Sequence, residues 1–137
     1  MLVAIDGSNN SYDALNEALE LSKQFKAKIY VVSVINVCVL PTNVGVSYAP
    51  KLEENIADDV HTDLAKAQQI VKDSGQDYEA NLLSGEPREE IINFAKEKQI
   101  DLIVIGKSGT HALERLFTGS VTRYISEHSK TSILIVS

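Results

Sequence analysis

Five short apolar segments alternate with four segments of helical periodicity, and this alternation restricts the fold more than any other feature of the chain. The apolar segments are 2–5, 28–35, 78–83, 102–105 and 133–136, and the helical patterns lie at 14–25, 51–74, 87–98 and 119–128. Strands that are separated by helices pair in parallel, because each helix carries the chain back across the sheet. We therefore predict an α/β protein with a Rossmann-like, doubly wound, five-stranded parallel sheet and helices on both faces.

The connections between the segments predict the order of the strands. Right-handed crossovers that lead outward from the first strand to the second and third, and then back to the fourth and fifth, give the order 3-2-1-4-5. Residues 28–35 are almost continuously apolar, as expected of a central strand, whereas residues 78–83 alternate in polarity and fit a sheet edge. Strands one and four then flank the point where the order reverses, and open α/β sheets bind their ligands at such a point.

Composition narrows the class of protein. The chain has 137 residues, of which 44% are hydrophobic, so we predict one domain with its own core over residues 1–137. The net charge of −6 argues against a nucleic-acid or anionic-membrane surface, because both partners bind clustered Lys and Arg. Cys38 is the only cysteine, and no run of 18 apolar residues is present. We expect a soluble cytoplasmic protein that binds neither nucleic acid nor membrane.

Glycines mark a candidate phosphate site. Gly106 and Gly109 follow the fourth apolar segment, and Gly119, after nine intervening residues, opens the last helical pattern together with Ser120. Glycine exposes backbone N–H groups, and a helix N-terminus favours an anion by about 0.3–1 kcal/mol for each favourable charge. Asp6, just past the first strand, would face Gly106 and accept hydrogen bonds from ribose hydroxyls. The predicted ligand is therefore a nucleotide.

Each of these signals also has a simpler structural interpretation. Glycines after strands serve as turn residues, and Asp6 is a common type of helix N-cap. The three histidines are scattered without metal-ligand spacing, and neither Ser108 nor Cys38 has the neighbours of a catalytic nucleophile. We therefore predict no metal site and no catalytic constellation, and enzymatic activity stays uncertain.

Taken together, the motifs resemble the universal stress protein family. They are Ala4-Ile5-Asp6-Gly7-Ser8 at the first strand, Gly85-Glu86-Pro87 after the third, and Gly106-x-x-Gly109-x9-Gly119-Ser120. The likeness spans essentially the whole chain, and the glycine spacing is similar to the ATP-binding signature of that family. The resemblance implies a Rossmann-like sheet, ATP binding and frequent dimerisation.

The resemblance also implies a role for individual positions. The nucleoside would contact Ala4, Ile5 and Asp6, and the backbone of Val34 would meet adenine. The ribose and phosphates would contact Gly106, Ser108, Gly109, Gly119, Ser120, Val121 and Thr122. A divalent cation, Mg²⁺ or Mn²⁺, is expected only as a chelate of the ATP phosphates.

The last strand predicts self-association. Residues 133–136 lie at the sheet edge in the predicted order and carry neither proline nor charge, and the resemblance implies a two-fold homodimer through this strand. The alternative is an edge covered by loops of the same chain. We expect an ATP-binding stress or signalling protein that acts as a nucleotide-dependent sensor or regulator. Two alternatives stay open, namely a slow ATP hydrolase with the same pocket and a nucleotide-free dimeric interaction protein.

Overall fold

The computed structural model describes residues 1–39, 49–110 and 118–137, except for the side chains of residues 39 and 49–53. The strands are β1 (Leu2–Ala4), β2 (Ile29–Asn36), β3 (Tyr78–Gly85), β4 (Leu102–Gly106) and β5 (Ser132–Val136). The helices are α1 (Asn9–Phe25), α2 (Ala49–Ser74), α3 (Pro87–Glu97) and α4 (Ser120–His128), with a short 3-10 helix at Val37–Val39. The predicted alternation of strands and helices is confirmed.

All five strands form one parallel sheet in the order β3-β2-β1-β4-β5, as predicted. In the centre of the sheet, Val3 of β1 lies opposite Val31 of β2 on one side and Val104 of β4 on the other. The connections from β1 and β4 leave in opposite directions, so the carboxyl ends of these strands border one crevice.

The two faces of the sheet pack in separate cores. Val3 and Val104 belong to the core beneath α1 and α2, whereas Leu2 and Ile103 belong to the core beneath α3 and α4. Successive side chains of a strand point to opposite faces, and both faces of the central strands are buried here. This burial accounts for the nearly continuous apolar character of these strands in the sequence.

The helix boundaries confirm some local signals and correct one. Gly75, at φ +72°, follows the last residue of α2, and Pro87 occupies the first turn of α3. The helical spacing that begins at Ala14 also places Phe25 on the buried stripe, but this expectation is wrong, because 71% of Phe25 is exposed. Phe25 is the last residue of α1, and the chain leaves the helix at Lys26 in a left-handed conformation.

Two predictions from the sequence concern segments that are only partly described. The spacing of Leu113, Leu116 and Phe117 predicts one helical turn within residues 110–118, and the apolar loop 36–50 is expected to pack against another surface; residues 111–117 and 40–48 lie outside the described residues. Over the described ranges, none of the helices combines the length and the apolar character that crossing a bilayer requires.

Candidate functional site

The loop that follows β1 brings an acidic side chain to the crevice. Ala4 is half-buried at the end of β1, and Ile5 is buried. The backbone N–H of Ile5 donates to the Val32 carbonyl at 2.8 Å, and its carbonyl accepts from the Ser33 hydroxyl at 3.0 Å. Ile5 is thus held on β2, and Asp6 is the first exposed residue after it.

The Asp6 carboxylate bridges the loops that follow β1 and β4. One oxygen, Oδ1, accepts from the N–H and hydroxyl of Ser8 at 3.1 and 2.5 Å, and Oδ2 accepts from the Thr110 N–H at 3.3 Å. The same carboxylate occupies the space that a side chain on Gly109 would need. The N-cap of α1 is Ser8, whose Oγ accepts from the Ser11 N–H at 3.2 Å. Asp6 is therefore free of the capping role and available as an acceptor at the crevice.

The end of β4 is pressed against the first turn of α1. A Cβ on Gly106 would lie 2.7 Å from the backbone carbonyl group of Asn10, so the packing of α1 requires glycine here. The N–H of Lys107 donates to the Val136 carbonyl of β5 at 2.7 Å. The Asn10 side chain donates to the Ser108 carbonyl at 3.2 Å and to the Ser108 hydroxyl at 2.5 Å. Gly106 thus serves close packing, and Asn10 holds the loop 106–109 that follows it.

The structure brings the distant glycine segments together. Gly119 precedes α4, and its N–H donates to the Lys107 carbonyl at 2.8 Å. A Cβ on Gly119 would lie 3.2 Å from Ser108 Cα and 3.5 Å from the Gly109 nitrogen. The hydroxyl of Thr122, which is buried, donates to the Gly106 carbonyl at 2.8 Å. Two hydrogen bonds to backbone carbonyl groups of the loop 106–109 therefore hold the start of α4 against this loop.

Backbone N–H groups converge where these segments meet. Within the described ranges, no side chain caps α4, and the N–H groups of Ser120, Val121 and Thr122 have no protein acceptor. The N–H groups of Ser108 and Gly109 also lack an acceptor among the described residues. Unpaired amides at the positive end of a helix dipole bind anions. This arrangement can hold a phosphate group beside the Asp6 carboxylate.

Val34 lies at the same carboxyl edge of the sheet but on β2. It is half-buried and pairs with Leu83 of β3. The pairing between β1 and β2 ends at Ala4 and Val32, so Val34 extends beyond the end of β1. The structure therefore places Val34 at the rim of the crevice, separate from the hydrogen-bonded group formed by the glycine loops and Asp6.

Helix α2 also reaches the loop after β1, and the sequence pattern did not indicate this contact. Gly7 adopts φ +81°, and the Asp63 carboxylate of α2 occupies the space that a Gly7 side chain would need. The Tyr12 hydroxyl donates to Asp63 Oδ1 at 3.1 Å. Burial raises the pKa of Tyr12 to about 12, with smaller contributions from Asp63 and Asp6. This side of the crevice is acidic, yet the described residues contain no group of three or more His, Cys, Asp or Glu arranged to hold a metal ion.

Asn10 is a further residue of this site that the sequence pattern missed as a participant. It belongs to the polar run after β1, where a helix start alone explains Ser and Asn. The available signal was the presence of several such residues, more than a single N-cap requires. The hydrogen bonds of Asn10 to Ser108 span 98 positions of the sequence, so no local pattern could reveal them.

Comparisons with known proteins find relatives over the whole length of the chain. A sequence model described as the universal stress protein family matches residues 1–137. The chain is 35% identical over 146 residues to universal stress protein YxiE of Bacillus subtilis, covering 99% of this chain and 97% of the relative. The structure of universal stress protein UspA from Lactobacillus plantarum is similar with a TM-score of 0.87, 25% identity, and coverage of 99% of this chain and 95% of that one. A universal stress protein in complex with cAMP is similar with a TM-score of 0.70, 26% identity, and coverage of 98% and 93%.

Proposed function

The chain belongs to the universal stress protein family, and from this membership we propose that it binds an adenine nucleotide in the crevice beyond β1 and β4. The observation that carries the proposal is the convergence of unpaired N–H groups from the loop 106–109 and the first turn of α4. Asp6 supplies a carboxylate acceptor next to these donors. The cAMP complex of a related protein supports an adenine nucleotide as the ligand class.

The hydrogen bonds within the protein refine how each residue would contribute. We place the ribose at Asp6 and the adenine against the backbone of Val34, with Ala4 and Ile5 beside the nucleoside. The phosphates follow Gly109 to the N–H groups of Ser120 and Val121. Gly119 would contribute the absence of a side chain, because its own N–H is bound to Lys107.

Thr122 acts in this proposal through its backbone N–H group. Its hydroxyl is occupied by the Gly106 carbonyl, so the side chain holds the site together instead of reaching the ligand. Gly106 in turn contributes close packing against α1. The phosphate site is thus formed mainly by main-chain donors, in keeping with the acidic net charge of −6.

We further propose that ATP is the physiological nucleotide and that Mg²⁺ or Mn²⁺ arrives chelated by its phosphates. A divalent cation would offset repulsion between the triphosphate and the Asp6 carboxylate. The protein would act in the cytoplasm as a nucleotide-dependent sensor or regulator in a stress response. A nucleotide that binds one conformation more tightly than another shifts the population of the protein towards that conformation, and this shift would be the signal.

Thermal denaturation tests the nucleotide site. ATP with Mg²⁺ should raise the midpoint of unfolding more than adenosine does, because a ligand at one hundred times its Kd stabilises the folded state by about 2.7 kcal/mol. Gly119→Val should abolish the difference between ATP and adenosine, since its branched side chain would crowd Ser108 and Gly109. An unchanged difference in this variant would contradict the assigned site.

Gly75→Val is the matched control for loss of stability alone. Gly75 lies at the end of α2, and no atom of the described residues lies within 4 Å of where its Cβ would be, but its φ of +72° disfavours any side chain. This variant should be less stable than the parent protein, and ATP should still raise its midpoint of unfolding more than adenosine does. Mass spectrometry of ligand retained by the native protein gives an independent readout, and absence of any nucleotide would favour an interaction protein instead.

We also propose a homodimer through β5. This strand lies at the sheet edge, and its Ile135 is 42% exposed. Ile135→Lys should increase the monomer fraction in sedimentation, because it places a charge in the paired edge. Val37→Lys changes another exposed apolar residue, 44% exposed, away from this strand and should leave the distribution unchanged. Equal sedimentation of the Ile135 variant and the parent chain would remove the proposal.

A further inference from the structure

Asn10 connects the first turn of α1 to the loop after β4. Its side-chain amide donates to the carbonyl of Ser108 at 3.2 Å and to the hydroxyl of the same residue at 2.5 Å. Its backbone carbonyl group lies against Gly106, where a Cβ would approach to 2.7 Å. Asn10 is half-buried, so these contacts are partly shielded from water. One residue of α1 therefore fixes both the start and the middle of the segment 106–109.

The direction of these hydrogen bonds matters for the ligand. An amide nitrogen carries two hydrogens and no acceptor, so the Ser108 hydroxyl must accept from Asn10. The hydrogen of that hydroxyl is then available to another acceptor. A phosphate oxygen is such an acceptor, and the unpaired N–H of Gly109 follows directly in the described chain.

We propose that Asn10 is a positioning residue for the phosphate site, which holds the loop 106–109 in place and orients the Ser108 hydroxyl as a donor to the nucleotide. This inference rests on the proposed nucleotide binding. Asn10 lies outside the glycine motif, and in this proposal it affects the phosphate part of the ligand through Ser108.

Asn10→Asp tests the direction of the hydrogen bond with almost no change in shape. A carboxylate cannot donate to the Ser108 carbonyl, and it would instead accept the hydrogen of the Ser108 hydroxyl. Isothermal titration with ATP and Mg²⁺ should show affinity reduced by about tenfold or more, because a charge-assisted hydrogen bond is lost and its geometry is disturbed. The affinity for adenosine, which has no phosphate, should stay within about twofold of the parent value.

Asn9→Asp is the matched control. Asn9 is exposed in the same helical turn, so this variant adds the same charge to the start of α1 without touching Ser108. Its ATP affinity should stay within about threefold of the parent value, since exposed charges are screened. An equal loss in both variants would reduce the effect to general electrostatics and overturn the positioning role. Equal losses of ATP and adenosine affinity in Asn10→Asp would also overturn it, since they indicate a purely structural role.

Ser108→Ala supplies a second measurement should Asn10→Asp fold poorly. This variant removes one oxygen and leaves the backbone N–H groups in place, and it should lower ATP affinity about fivefold while adenosine binding is retained. Unchanged ATP affinity would overturn the proposal. If the parent protein binds neither ATP nor adenosine, the proposed function itself is wrong. If the parent binds both ligands and the variants bind ATP as tightly as the parent does, only the positioning role of Asn10 is wrong.

Discussion

Helices α3 and α4 begin at the same edge of the sheet and pack on the same face, yet their first turns are completed differently. Glu86 caps α3, and its carboxylate accepts from the N–H groups of Arg88 and Glu89 at 3.1 and 3.3 Å. Helix α4 begins at Gly119 and, in the part of the chain that is described, receives no side-chain cap. Among the described residues, the protein thus supplies an anion to the start of α3 and none to the start of α4.

The difference has a stability cost that a ligand would offset. An N-cap side chain contributes about 0.5–2 kcal/mol relative to alanine but only a few tenths relative to glycine, so Gly119 at the N-cap of α4 makes the free protein less stable by a few tenths of a kcal/mol. The position of α4 is instead maintained by two hydrogen bonds, from the Thr122 hydroxyl to the Gly106 carbonyl and from the Gly119 N–H to the Lys107 carbonyl. A helix start that is firmly held and yet uncapped is preorganised for an external anion.

The largest expected effect comes from making α4 resemble α3. Gly119→Asp introduces a carboxylate cap, and Gly119→Ala accounts for the crowding of any Cβ, which would lie 3.2 Å from Ser108 Cα. Relative to the alanine variant, the aspartate variant should bind ATP roughly ten- to a hundredfold more weakly, because the cap occupies and repels the phosphate position. Isothermal titration of both variants measures this ratio.

The same pair of variants predicts an opposite change in the free protein. Without nucleotide, Gly119→Asp should be more stable than Gly119→Ala by about 1 kcal/mol in urea denaturation, because the new side chain accepts from first-turn N–H groups. If aspartate weakened nucleotide binding without stabilising the free protein, the start of α4 would not be an unfilled cap, and the comparison with α3 would fail.

A second test removes what holds the uncapped start in position. Thr122→Val replaces the buried hydroxyl by a methyl group and leaves the Gly106 carbonyl without its donor, which should cost about 1–2 kcal/mol of unfolding free energy. Thr122→Ser keeps the hydroxyl and is the control. ATP affinity should fall in the valine variant as the first turn of α4 loses its alignment with residues 106–109. Parent-like stability of the valine variant would show that the bond does not position α4.

The converse change at α3 should affect stability alone. Glu86→Ala removes the cap and should lower the unfolding free energy by about 1 kcal/mol, with ATP affinity unchanged, because this helix start has no proposed contact with the nucleotide. Glu89→Ala removes an exposed charge from the same turn without removing the cap, so its effect should be only a few tenths of a kcal/mol. Denaturation measures the stability of both variants, and titration measures their ATP affinity. Together they distinguish a helix start that only stabilises the fold from one that binds the nucleotide.

The sequence predicted the sheet well because its signals are local and repeated. Each buried strand is an apolar run, and a chain that leads outward from the first strand to the second and third and then back to the fourth and fifth has the observed order. Phe25 is an exception, since the helical periodicity continues to the end of α1 but the packed surface does not. A helical pattern indicates which residues share a face and does not indicate where neighbouring elements end.

The candidate site was predictable only in part. The spacing of Gly109 and Gly119 correctly indicated that their segments meet, and the structure places a Gly119 Cβ 3.5 Å from the Gly109 nitrogen. What the glycines do was less predictable, because Gly106 serves close packing and the Gly119 N–H is already bound. Asn10 escaped notice because its partners depend on tertiary packing of α1 on β4. The sequence pattern presents Glu86 only within the Gly85-Glu86-Pro87 motif, although an acidic residue before proline is compatible with a cap.

The start of α1 offers a third case, in which the protein supplies its own cap, Ser8, and α2 covers the preceding loop. The Tyr12 hydroxyl donates to Asp63, whose carboxylate lies against Gly7. Because burial and then Asp63 raise the pKa of Tyr12 to about 12, the protonated hydroxyl is favoured in the folded state. Its contribution to stability is therefore complete below the ordinary pKa of 10 and is lost as pH rises towards 12.

This alkaline loss is the smallest effect we predict, at most about 1 kcal/mol, because Tyr12 is partly exposed and solvent screens its interactions. Denaturation between pH 9 and pH 12 should show a fall in the free energy of unfolding, and Tyr12→Phe should remove the part of this fall that Tyr12 causes. NMR titration of the Tyr12 ring reports its pKa directly. Asp63→Asn should lower that pKa but leave it above the ordinary value, since burial is the largest cause of the shift. A full return to the ordinary value would mean that the Asp63 charge, and not the packing of α2 on the loop, dominates. The start of α1 would then be held to α2 mainly by electrostatics, unlike the hydrogen-bonded and packed start of α4.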